Sequence, residues 1–174
     1  MYLYHGVPKN MMGDLLFPLS QALEYQPDLH AQYLKKYKGR EEVLERRIPF
    51  LDCAWRDVVH LLPLHPHALF ELQKELGLIQ EVPDYSYFQI DSSLLKTDQA
   101  VVYFKSAPGE ENATIERLEH VDLSELQTIP QATVDYYKSM VGTGEPVFNY
   151  QFVPHILYRG CIDISMVGRV DLSD

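Results

Sequence analysis

Short runs of strand-forming residues, separated by stretches at helical spacing, set the layout of this chain. Tyr2, Leu3 and Tyr4 are good strand formers, and the His5-Gly6 pair ends that run. Val7-Pro8 then holds an extended turn, because proline disfavours the helical region for the residue before it. Gly13 and Pro18 argue against a long helix, so residues 9–14 read as a short helix or turn and 15–19 as an extended apolar segment. Pro27-Asp28 opens a helix with proline and an acid in its first turn. Leu29, Tyr33, Leu34 and Tyr37 fall at helical spacing and predict its buried stripe, with Gly39 as the stop. A second short helix spans residues 40–47.

Residues 48–55 are apolar and irregular. Residues 56–64 carry apolar side chains on both faces and predict a buried strand with His60 inside it. His65-Pro66-His67-Ala68 reads as a strand-to-helix turn, proline suiting the first helical position, and the helix runs to Leu76 with Gly77 after it. Residues 85–91 and 100–105 are two clear strands, joined by a polar link short enough for them to be neighbours. Residues 106–114 form a loop, and a weak amphipathic piece covers 118–126. Residues 130–141 predict a helix burying Tyr136, Tyr137 and Met140, closed by Gly142-Thr143-Gly144. The end predicts one strand up to Val153, a turn, and a last strand around Ile162. In the first of these, Phe148, Tyr150 and Phe152 share one face and Asn149 and Gln151 the other. Helices and strands without regular alternation indicate a single α+β domain over residues 1–174.

Charge narrows the partners. Residues 1–60 are neutral, with 8 basic and 8 acidic side chains, so the whole net charge of −10 lies in residues 61–174. An acidic surface repels phosphate backbones, which argues against tight non-specific nucleic-acid binding. The basic residues Lys35, Lys36, Lys38, Arg40, Arg46 and Arg47, interleaved with Glu41, Glu42 and Glu45, read as a solvated helix face. No apolar run approaches the ~20 residues needed to span a bilayer. The first residues lack the pattern of a signal peptide, so a cytoplasmic location is expected. Cys53 and Cys161 have no metal-like spacing and are expected to be reduced and buried.

The candidate chemistry is carried by imidazoles. His5 stands at the end of an early strand, with Gly6 beside it to let a ligand or another backbone come close. His60, inside a buried strand, needs a hydrogen-bond partner or a role. His65 and His67 form a His-x-His pair that can converge on zinc with His60. No further ligand spacing completes such a site, so no metal is expected and a metal-dependent hydrolase is the weakest reading. The 12 tyrosines suggest an alternative role as a non-enzymatic protein-binding domain, since tyrosine makes a good interface anchor.

Taken together, Tyr4-His5-Gly6, Val58-Val59-His60-Leu61 before a helix, and Val147 to Pro154 resemble the ADP-ribosyltransferase fold, nearest to the RNA 2′-phosphotransferases. Over its whole length the chain also resembles small bacterial proteins that share the His-Gly-Val-Pro opening and the Val-Pro-His-Ile-Leu-Tyr ending, a resemblance that implies no activity. The superfamily resemblance implies a mixed or antiparallel split sheet with flanking helices around a cleft for NAD. It implies that His5 hydrogen-bonds the ribose beside the nicotinamide and that His60 lines the cleft. Glu145 stands nearest the place of the family's late glutamate, and Tyr4, Gly6, Asn149 and Gln151 would contact the cofactor. The implied function is binding of NAD or a related nucleotide, with transfer of ADP-ribose to a protein or a nucleobase. The chain departs from the phosphotransferase pattern at Val7, where threonine is usual, and at Leu62, where serine is usual. Glu75-Leu76-Gly77 stands in place of the Arg-His-Gly element. These departures argue against removal of an RNA 2′-phosphate, and a catalytically degenerate member of the fold is the corresponding alternative.

Overall fold

The computed structural model describes residues 1–172. Its elements run β1 (Tyr2–Gly6), β2 (Leu15–Leu16), α1 (Leu19–Tyr25), α2 (Pro27–Lys35), β3 (Arg47–Ile48), β4 (Cys53–Ala54), β5 (Val59–Leu61), α3 (Pro66–Glu75), β6 (Ser86–Asp91), β7 (Ala100–Lys105), β8 (Ala113–Arg117), α4 (Gln131–Met140), β9 (His155–Tyr158), β10 (Ile162–Asp163) and β11 (Gly168–Asp171). The class is α+β, as expected.

Two main sheets organise the chain. One has the order β1-β6-β11 and the other β5-β9-β7-β8. The strand pairings among the described residues are antiparallel. The sheets meet at one bridge, where the Tyr4 N–H donates to the Leu62 carbonyl at 2.9 Å and the Leu62 N–H donates back to the Tyr4 carbonyl at 2.8 Å. Between them lies a core in which Leu3, Phe88 and Ile90 of the first sheet meet Val59, Leu61, Val102 and Ile156 of the second. Strand side chains alternate between faces, so the same strands supply two further clusters. Tyr4 and Tyr87 face α3 and α4, against Leu69, Phe70 and Tyr137. Val101 and Leu157 face the β3–β4 hairpin, against Ile48, Leu51 and Cys53. Each of the fully buried aliphatic or Phe side chains contributes about 1.5–3 kcal/mol on leaving water.

Local chemistry explains the helix ends. Pro66 begins α3, and the His65 side chain accepts the His67 N–H at 3.3 Å. At its far end Gly77 takes φ +73°, and the Leu78 N–H reaches the Gln73 carbonyl at 2.9 Å, a Schellman stop that a left-handed glycine permits.

Several expectations need correction. Residues 147–153 form a loop with a turn at 149–152, and the strand starts only at His155. Phe152 has φ +63°, which breaks the extended run, so Phe148, Tyr150 and Phe152 share no strand face. In α2 only Leu29 is buried, and Leu34 is 39% exposed. The strands at 86–91 and 100–105 do not pair but belong to different sheets. Helix α1 begins at the last residue of the stretch expected to be extended, and β8 begins within the last residues expected to be loop; Pro18 precedes the first turn of α1, where a proline breaks nothing. Cys161 is exposed, and its thiol donates to Gln21 Oε1 at 3.0 Å. No helix among the described residues is long and apolar enough to cross a membrane.

Candidate functional site

The bridge between Tyr4 and Leu62 brings the end of β1 onto the edge of β5. That places His5 beside His60, and the His5 Nδ1–H donates to the His60 carbonyl oxygen at 2.8 Å. His60 pairs with Leu157 across β5 and β9, so residue 155 lies diagonally from it on the same sheet face. The two rings are 6.3 Å apart between centroids. The His155 Nδ1–H donates to the Val153 carbonyl at 2.8 Å, and the backbone at Trp55 favours the protonated His60 ring against the effect of burial. Three imidazoles, fifty or more residues apart in sequence, thus gather where the sheets join.

Aromatic rings frame the group. Trp55 packs on His60 at 4.8 Å and on Tyr103 at 5.2 Å. Tyr150 lies edge-on to His155 at 6.4 Å, and its hydroxyl pairs with that of Tyr87. Burial pushes Tyr150 well above the usual phenol range, with Tyr87 adding to the effect, so this hydroxyl pair stays neutral.

The electrostatics set the protonation state. Burial lowers His5 to about 4, against 6.5 in water, and the charge of Lys36 lowers it further, while the bond to His60 opposes. Burial lowers His60 to about 3, helped by His155, His5 and Lys36. His155 is also held down by burial. All three rings are therefore neutral near pH 7. His5 and His155 use Nδ1–H as donor, which leaves Nε2 as an acceptor. No buried side-chain nitrogen or oxygen among the described residues lacks a partner, and all three residues are only half-buried. The second nitrogens are therefore not sealed in the core. No carboxylate is among the groups that shift these rings; the charge of Lys36 acts on His5 and His60. Its ammonium lies 4.6 Å above the Tyr33 ring. Bare ring nitrogens of this kind accept hydrogen bonds from hydroxyls or amides.

The other sequence candidates lie as follows. The Tyr4 side chain points to the opposite face from His5, is 7% exposed and packs edge-on against His65. Gly6 is exposed; a Cβ there would meet only the Tyr87 ring at 3.7 Å, so the fold itself does not demand glycine. Glu145 is exposed on the loop after α4, where its backbone N–H donates to Thr143 Oγ1 at 3.2 Å. Asn149 and Gln151 are half-buried, and their carbonyls accept from the Tyr137 hydroxyl and from Thr133 Oγ1. His65 and His67 stand together at the start of α3, with His67 Nε2 3.6 Å from Glu71. They do not join His60, and no three His, Cys, Asp or Glu side chains among the described residues are placed to hold a metal.

Sequence reasoning missed Trp55, Tyr150, His155 and Lys36. The signal for His155 was present, since His155 and Leu157 alternate with Ile156 and Tyr158. It was hidden by reading Pro154-His155 as a turn.

No family model matches the chain. No curated protein matches it either. Among solved structures, the chain is similar to Thermosipho africanus DarTG in complex with ADP-ribose, at 9% identity and a TM-score of 0.44, the match covering 96% of this chain and 42% of that one. The chain thus spans less than half the length of that relative.

Proposed function

We propose that the group of rings at His5, His60 and His155 binds NAD or a related ADP-ribose-bearing nucleotide. The observation that carries this reading is the hydrogen bond from His5 Nδ1–H to the His60 carbonyl. It joins two of the segments whose order resembles the ADP-ribosyltransferase pattern, and it orients His5 Nε2 outward as an acceptor for a ribose hydroxyl. Trp55 and Tyr150 supply ring faces for the flat groups of the ligand, and Lys36 a charge for its phosphates.

The finer reading is transfer of ADP-ribose to a protein or a nucleobase. The bond between the ribose and nicotinamide breaks, nicotinamide leaves with the bonding pair, and the acceptor's nucleophilic atom bonds the ribose carbon. A carboxylate stabilises the cation-like transition state and takes the acceptor's proton. Glu145, on a loop that leads towards Tyr150, is the residue proposed for that task.

Calorimetric titration with NAD, on wild type and His5→Ala together, tests the binding. Saturable binding by wild type and its loss in a folded mutant is the expected result. No binding by wild type at about millimolar NAD overturns the reading and leaves a protein-binding role to be sought.

A further inference from the structure

Strand β9 has a second face, and a cavity of about 410 Å³ lies against it. His155 and Leu157 point to the imidazole side, whereas Ile156 and Tyr158 point into the core between the sheets. Tyr158 is 5% exposed and lines the cavity. Its hydroxyl has no hydrogen-bond partner among the described residues, yet no buried side-chain oxygen there is left unpaired. The hydroxyl must therefore open into the cavity.

The surroundings keep it open. Gly160 has φ +155°, and a Cβ at that position would come within 3.0 Å of the Tyr158 ring and 3.4 Å of its hydroxyl. A side chain at Gly160 would crowd the Tyr158 ring and hydroxyl. Leu94 and Ile162 give apolar walls, and Gln99 contributes an amide. Lys96 and Asp163 stand on the lining with opposite charges. The Lys96 ammonium makes no ion pair among the described residues. Asp163 accepts the Ser165 N–H at 2.9 Å, and the Ser165 side chain also acts on it; among the described residues no ion pair engages its carboxylate.

We propose that this cavity is a second ligand site, for a small zwitterion of the free amino-acid class. Lys96 takes the carboxylate, Asp163 the ammonium, and the Tyr158 hydroxyl a remaining polar atom, with the apolar walls taking the side chain. Opposite charges on one small cavity fit a ligand that itself carries both. The volume is within the range of small-molecule sites. The site is separate from the imidazole group and stands whether or not that group binds NAD.

The test is an NMR titration of the full chain, recording amide shifts with each common free amino acid up to about 10 mM. At least one is expected to shift resonances of residues 94–99 and 158–163 while leaving those of His5 and His60 unmoved. His5→Ala should leave that binding intact. Lys96→Met, at an exposed position, should weaken it by roughly tenfold or more, and Tyr158→Phe should weaken it too. Simple carboxylates and alkylamines should each bind more weakly than the amino acid. The assignment is overturned if no amino acid shifts these residues, if the shifts persist undiminished in both variants, or if a plain carboxylate binds equally well.

Discussion

His5 donates its Nδ1–H to the backbone carbonyl of His60, 55 residues away in sequence and 2.8 Å away in space. The bond fixes a tautomer as well as a position. It predicts that His5 carries its proton on Nδ1, with Nε2 bare, throughout the neutral range. Nitrogen-15 NMR of labelled imidazoles distinguishes the two tautomers, and His155, bonded to the Val153 carbonyl, should show the same pattern. An Nε2–H tautomer at His5 would remove the outward acceptor on which ribose recognition depends.

Stability should depend on pH through these same rings. In the unfolded chain each takes a proton near 6.5, whereas folded His5 does so near 4 and His60 near 3. Between those limits the unfolded state binds more protons, so folding stability rises with pH. Their contribution is complete above about pH 6.5 and is lost as the pH falls towards 4 and 3. Urea unfolding at a series of pH values should show this fall, and a His5→Gln, His60→Gln double variant should flatten it between pH 6 and 4. A profile equally steep in that variant would assign the acid sensitivity to other groups.

The loop before β9 hangs on α4 through side-chain bonds. Gln73 Nε2 donates to the Tyr137 hydroxyl at 3.0 Å, and that hydroxyl donates to the Asn149 carbonyl. Tyr137 is 0% exposed and Gln73 only 1%. Tyr137→Phe therefore leaves a buried amide and a carbonyl without partners, at a cost of about 1–3 kcal/mol. Adding Gln73→Leu should recover part of that loss, because it removes the stranded amide. Denaturant midpoints of the two variants decide the matter.

Helix α2 offers a test of packing against periodicity. Leu29 is 8% exposed and Leu34 39%. Leu29→Ala should cost about 2–3 kcal/mol, and Leu34→Ala less than about 1 kcal/mol. Equal costs would restore the full stripe that the spacing suggests.

Glu145 separates binding from transfer. It is exposed, and its carboxylate makes no hydrogen bond or ion pair among the described residues. Glu145→Gln should leave the melting temperature unchanged and NAD affinity within a few-fold, while abolishing transfer of labelled ADP-ribose if the proposed chemistry is correct. Undiminished transfer would move the carboxylate's task to another residue.

The residues by themselves determined what depends on near neighbours. Strand propensity marked β1, β6 and β7, proline and glycine marked the ends of α3, and helical spacing placed α4 with Tyr137 buried. These features need only local dihedral preferences and a repeating apolar face. The resemblance gave His5 and His60 each a place at one cleft but could not show that they meet; one bridge, Tyr4 with Leu62, which no local preference specifies, brings them together. The separation of β6 and β7 into different sheets is likewise a matter of long-range partners. The turn at residues 149–152 was decided by Thr133, Tyr136 and Tyr137 of α4, which take backbone groups that a strand would have used in a ladder. Strand register depends on the far partner, so His155 became a companion of His60 only when β9 found its place between β5 and β7.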